Sequence, residues 1–199
     1  GETGKIGTIT VNIARLTDVS TADELAAAVA QGGAIRLTAD ITTGQDLELR
    51  GSTVVDLNGK TLTTGGYDID FYDKVIMRNG SIYVANYDDN LLVDTGANAL
   101  FENCTMSSCT GNSSVFLNGT ATLKDCTLSR DGAGNNILGN RGFKLNMLGD
   151  IRMNGKIQLA DNCVVSALSG TYNFDPTSYV GTNTYAVSES GGIWTVTAK

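Results

Sequence analysis

The sequence predicts an all-β protein, a single-stranded right-handed parallel β-helix of about six coils with a helix cap in front and a hairpin cap behind. Three observations predict it. First, one short pattern recurs as VVDLNGKTL, VIMRNGSIY, ALFENCTMS, ATLKDCTLS, LNMLGDIRM and VVSALSGTY. Its pivots are Asn58, Asn79, Asn103, Asp125, Leu148 and Ser169, spaced 21–24 residues apart. A period of that length made of strand-like pieces means stacked coils. Second, another ladder keeps the same period out of phase: Leu47–Leu49, Ile69–Phe71, Leu91–Val93, Val115–Leu117, Asn136–Leu138 and Ile157–Leu159. Two ladders require at least two strands per coil. Third, the chain has 24 Gly and one Pro. Glycine between β-rich runs marks many tight turns.

The elements follow in order. Residues 7–13, GTITVNI, alternate as a strand does. Thr21 followed by Glu24 is a capping box, and Leu25, Ala28 and Val29 form an apolar stripe. Gly32 and Gly33 end that helix, which is expected just before the first coil to cover the open end of the stack. Side-chain alternation then places Val55, Leu57, Ile82, Phe101, Met106, Leu123, Leu128, Ile151 and Tyr172 inside. From the second ladder, Leu49, Phe71, Val93, Leu117, Leu138 and Leu159 also point inward. The Asn58–Asn79–Asn103 column should form an amide ladder at a turn. After residue 172 the period is lost. The end reads as a hairpin around Ser190, Gly191 and Gly192, with Tyr185 and Trp194 folded over the last coil. The divisions are therefore 1–33, 34–172 and 173–199.

Composition excludes some partners. The 199 residues suit one domain with a continuous core. The net charge of −7 and a pI near 4.5 leave no basic stripe for a nucleic acid or an anionic membrane surface. No apolar run approaches the ~18 residues of a membrane-spanning helix, so no membrane insertion is expected. Four Cys are too few for a disulfide scaffold. Cys104 and Cys126 share a column in adjacent coils and read as small buried hydrophobes. With no His and no paired-Cys motif, a transition-metal site is not expected.

The stretch TADELAAAVAQGGAIRLTADIT, with VVDLNGKTL after it, resembles the opening of pectate-lyase-like right-handed β-helices. Such domains occur in bacterial secreted and cell-surface proteins, adhesins among them, and in phage fibre proteins. The tail SGTYNFDPTSYV, with GGIWTV, is similar to a segment that ends such surface repeats in Gram-positive bacteria. The resemblance covers roughly residues 15–197. It implies a fold more strongly than an activity, because one fold hosts many activities. It also implies an extracellular, cell-surface or virion location.

The resemblance supplies no catalytic residue. Family hydrolases use Asp residues with a His-containing loop, and this chain has no His. Family lyases bind calcium through carboxylates and use Arg or Lys as base. The matching local candidates are Asp68 and Asp70, with Glu48 one coil below, as oxygen ligands for Ca²⁺. A charged, solvated strand face is the alternative for the same residues. Tyr67, Tyr72, Tyr83 and Tyr87 cluster beside Asp68, Asp70, Asp88 and Asp89. Rings next to carboxylates suit sugar recognition, since the ring stacks on C–H faces and the acids accept hydroxyl protons. Leu92, Phe116 and Ile137 are expected on the outside of the second ladder, as a homo-oligomer or partner face. The expectation is a non-enzymatic extracellular binding or structural module for a glycan or host surface protein. A small calcium-dependent polysaccharide lyase is the alternative.

Overall fold

The computed structural model describes residues 16–109, 113–132, 134–140, 142–181 and 183–199. The strand expected at 7–13 lies outside them. The chain winds into a parallel β-solenoid of about 7 turns. The stack starts before the helix: β1 (Leu16–Val19) already pairs in parallel with β2 (Ala34–Leu37). The helix α1 (Ala22–Gln31) therefore sits inside the first turn and packs against the first strand of the opposite sheet. Its N-cap is Thr21, whose Oγ1 accepts from the Glu24 N–H at 3.2 Å. The Glu24 carboxylate reaches back to the Ser20 N–H at 2.7 Å, one residue beyond the capping-box position. Leu25, Ala28 and Val29 are buried, and Gly32 (φ 70°) closes the helix.

The next turn holds β2, β3 (Ile41–Thr42) and β4 (Leu47–Leu49). After it come β5 (Ser52–Asp56), β6 (Thr61–Thr63) and β7 (Ile69–Phe71). From there the first two strands of a turn often merge into one long bent strand. These are β8 (Lys74–Val84) with β9 (Leu91–Val93), and β10 (Asn98–Ser108) with β11 (Val115–Leu117). Then follow β12 (Thr120–Lys124), β13 (Thr127–Arg130) and β14 (Asn135–Gly139). The last turns hold β15 (Lys144–Met153), β16 (Lys156–Gln158) and β17 (Val164–Tyr172). The short strands β4, β7, β9, β11, β14 and β16 stack as a six-stranded sheet, and the others form a 13-stranded sheet bent along its length.

The bend is where the pivots act. Asn58, Asn79, Asn103 and Asp125 all have φ between 52° and 60°. Left-handed backbone is costly for most side chains and tolerated by Asn, Asp and Gly. Asn103 Nδ2 donates to Asn79 Oδ1 at 3.4 Å, Asn79 Nδ2 to Asp56 Oδ2 at 3.2 Å, and Asn58 Nδ2 to the Leu37 carbonyl at 3.0 Å. The amide ladder thus forms only between Asn103 and Asn79, while Asn79 turns to the Asp56 carboxylate and Asn58 to the backbone. The fifth pivot is Gly149 (φ 76°) and not Leu148, which pairs with Lys124. A leucine is unsuited to the left-handed position, so the bend moves to the glycine beside it.

The core matches the inward columns with two corrections. Val55, Leu57, Phe71, Ile82, Phe101, Met106, Leu123, Leu128, Ile151 and Tyr172 are at most 1% exposed. Leu138 is instead outward and half-buried, because it pairs with Phe116 while Ile137 pairs with the buried Val115. Asn136 is the extra residue where β14 bulges against β16, and it is buried, donating to Asn154 Oδ1 at 3.3 Å. Leu159 is 52% exposed, since it follows the last strand of its sheet and no described strand stacks beyond it.

At the C-terminal end, β18 (Tyr185–Ser190) and β19 (Ile193–Ala198) form the expected hairpin around Gly191 and Gly192, both with positive φ. Strand β19 pairs antiparallel with β17, placing Trp194 opposite Tyr172. Trp194 and Tyr185 pack on the core. No helix among the described residues is long and apolar enough to cross a membrane.

Candidate functional site

The candidate residues fall into three places. The first is the corner between β6 and β7 and its equivalent one turn on, between β8 and β9. Tyr67 (39% exposed) and Tyr87 (70% exposed) project there from successive turns. Asp88 is exposed, whereas Asp89 is buried and accepts from the Gly66 N–H at 3.2 Å and from Asn86 Nδ2 at 3.0 Å. That acid joins the two turns. Tyr83 stands one corner away on the outside of β8, between Thr63 and Ser107, and is half-buried.

The second place is the outer face of the six-stranded sheet at β4 and β7. Glu48 pairs in register with Asp70, as the sequence predicts. The two acids have different neighbours. Glu48 holds Arg50 at 2.9 Å, and Arg50 lies 3.9 Å over the Tyr72 ring centre. Tyr72 donates to Asp70 Oδ2 at 3.4 Å, while Asp70 Oδ1 is buried with no hydrogen-bond partner. Burial first, and then the charges of Asp68, Asp46 and Asp94, push the Asp70 carboxyl up to about 6.

Asp68 belongs to a different ladder. Asp46 Oδ1 accepts from the Asp68 N–H at 3.0 Å, and Asp68 Oδ1 accepts from the Asn90 N–H at 2.7 Å. These carboxylates satisfy backbone donors of the following turn. Glu48, Asp68 and Asp70 are not brought together as a cage. No group of three or more His, Cys, Asp or Glu among the described residues is arranged to hold a metal ion.

The third place is the middle of the same outer face. Register puts Leu92, Phe116 and Leu138 in the outward column above Asp70. Ile137, expected there, is buried in the core at 0% exposure. The face therefore runs from acids through three half-buried apolar side chains to Gln158.

Sequence reasoning missed Arg50 as the ring partner of Tyr72. It also missed a column on the bent sheet: Asp18, Arg36, Asp56, Arg78, Glu102 and Lys124 stand in register on successive turns, with alternating sign. The signal was present as alternating charges at the repeat spacing.

Comparison with known proteins adds no relative: no family model, no curated protein and no solved structure matches this chain.

Proposed function

We propose that this chain is a non-enzymatic extracellular binding module that recognises a glycan through the Tyr67–Tyr87 corner. The setting we infer is that of pectate-lyase-like β-helices on bacterial surfaces, in adhesins or in phage fibres. The observation that carries the reading is the exposure of both rings at one corner in successive turns, with Asp88 beside them. Two rings repeated by the coil offer stacking surfaces to neighbouring sugar units, and the free edge of Asp88 accepts hydroxyl protons. The commitment of Asp46, Asp68 and Asp89 to backbone donors supports a binding role over an acid–base role.

A glycan array tests it, read with wild type, Tyr67→Ala and Tyr87→Ala, each checked for an unchanged melting temperature. The expected result is binding to a defined glycan class that falls at least tenfold in both variants, by order of magnitude for a lost stacking contact. An array with no ligand, or binding indifferent to both substitutions, overturns the reading. The lyase alternative gives Glu48, Asp68 and Asp70 the role of calcium ligands. Calcium-dependent release of unsaturated sugar ends, abolished by Asp70→Ala, would replace the proposal with it.

A further inference from the structure

We propose that the outer face of the bent sheet, on strands β1, β2, β5, β8, β10 and β12, is the contact surface for a second copy of this chain, packed antiparallel about a two-fold axis running along the strands. The face carries two adjacent columns. One is the charge ladder Asp18, Arg36, Asp56, Arg78, Glu102 and Lys124. The other, two residues earlier on each strand, is Leu16, Ala34, Val54, Ile76, Leu100 and Thr122. Leu16 is exposed and the other five are half-buried, so the apolar column is open to solvent. A shallow groove of ≈ 170 Å³ lies along Val54 and Ile76.

The charge order selects the partner. Read from Asp18 to Lys124, the signs run minus, plus, minus, plus, minus, plus. A six-membered alternating row becomes its own complement when reversed. A two-fold axis along the strands, between β5 and β8, lays each column on its own reverse. Asp56 then faces Arg78 of the second copy, Arg36 faces Glu102, and Asp18 faces Lys124. In the same operation Val54 meets Ile76, Ala34 meets Leu100, and Leu16 meets Thr122, so small side chains meet larger ones. A parallel arrangement would set each charge against its own copy and is disfavoured by repulsion at all six positions.

The charges keep exposed surface for a second contact. Within the chain they pair in couples: Arg36 with Asp18 at 2.8 Å, Arg78 with Asp56 at 3.1 Å and Lys124 with Glu102 at 2.5 Å. The basic side chains of the three couples remain 41–43% exposed. Isologous contacts of this kind require one self-complementary patch, which this face supplies. Six strands at ~4.8 Å and five residues at ~3.3 Å give roughly 450 Å² of flat face per copy. Standard interfaces bury about 800 Å² per partner, so the dimer is weak and concentration-dependent. The surface lies on a different sheet face from Glu48, Asp70 and Phe116, and does not depend on the glycan reading.

The test is sedimentation equilibrium from micromolar to millimolar protein, at low and high salt. Wild type should pass from monomer to dimer with a dissociation constant on the order of 10–100 μM, weakening as salt screens the charges. Ile76→Asp should stay monomeric while keeping its circular dichroism and melting temperature. The registration is tested by two variants, Lys124→Glu and Asp18→Lys. Each alone should self-associate at least tenfold more weakly, because like charges then meet twice. Mixed one to one, they should associate as tightly as wild type, since both cross-copy pairs are restored. A wild type that is monomeric at millimolar concentration overturns the proposal. So does a dimer indifferent to Ile76→Asp, or one in which mixing the two charge variants rescues nothing.

Discussion

The Leu57 side chain fills, from one turn below, the space beside Gly80: a Cβ built on Gly80 would lie 2.5 Å from Leu57 Cβ and 2.6 Å from the Lys60 carbonyl oxygen. The turn containing Leu57 places two more residues at the bend than the turn above, between Asp56↔Arg78 and Thr61↔Ser81. That extra length lets Leu57 reach the core, where it is fully buried. In the next two turns the same column is occupied by Cys104 and Cys126, each at most 2% exposed. Gly80→Ala should therefore destabilise by about 3 kcal/mol, at the upper end for overpacking, because one clash is with backbone. Urea unfolding checks it. Pairing it with Leu57→Gly should give a favourable coupling energy, since loss of the Leu57 Cβ removes one of the two clashes.

The left-handed bend makes a second prediction. Asn79 has φ 60°, donates to Asp56 and accepts from Asn103. Asn79→Ala loses these bonds and puts alanine in a conformation that costs L-residues about 1–2 kcal/mol. A loss of about 2 kcal/mol is expected in the same urea assay. Asn79→Gly should lose about half as much, because glycine removes the backbone penalty and leaves only the missing hydrogen bonds.

These two sites show which part of the molecule the sequence could display. The column Asn58, Asn79, Asn103 and Asp125 is legible because a left-handed residue must be Asn, Asp or Gly, and the chain repeats that demand every turn. The same rule would have placed the fifth pivot at Gly149. The outward or inward facing of Ile137 and Leu138 was not legible, since a bulge shifts the register by one and reverses every side chain after it. Nor was the fate of Asp68 legible. Its carboxylate caps a backbone donor 22 residues later, and sequence alone does not distinguish that from a solvated or metal-binding acid. Tyr67 and Tyr87 are brought to one corner because each lies in the loop before a short strand of the six-stranded sheet.

Thiol reactivity follows from burial in the core column. Cys104 and Cys126 are free, and burial pushes their thiols up to about 12 and about 11. Their Sγ atoms donate to backbone carbonyls, Cys104 to Met77 at 3.4 Å and Cys126 to Phe101 at 3.3 Å. Nucleophilic attack requires the thiolate and access to it. Iodoacetamide at pH 8 should modify Cys104 and Cys126 only after denaturation, while the half-buried Cys163 reacts in the native protein. Peptide mass mapping of native and denatured samples separates these outcomes.

Asp70 gives the pH dependence. Its carboxyl is raised from 3.8 to about 6 in the folded chain, chiefly by burial and then by Asp68. The folded state thus holds a proton that the unfolded state has released between these two values. Stability from this group is complete below about pH 4 and is lost as pH rises through about 6. Asp70→Asn keeps an acceptor for the Tyr72 hydroxyl and removes the charge. It should match wild-type stability near pH 4 and exceed it at pH 7–8. The effect belongs to one partly solvated side chain, so it appears as a difference between two melting curves against pH rather than as a change in the whole profile. A variant with the same melting temperature as wild type at pH 8 would show that Asp70 is solvated in the folded protein. Its orphaned Oδ1 would then be bonded to water.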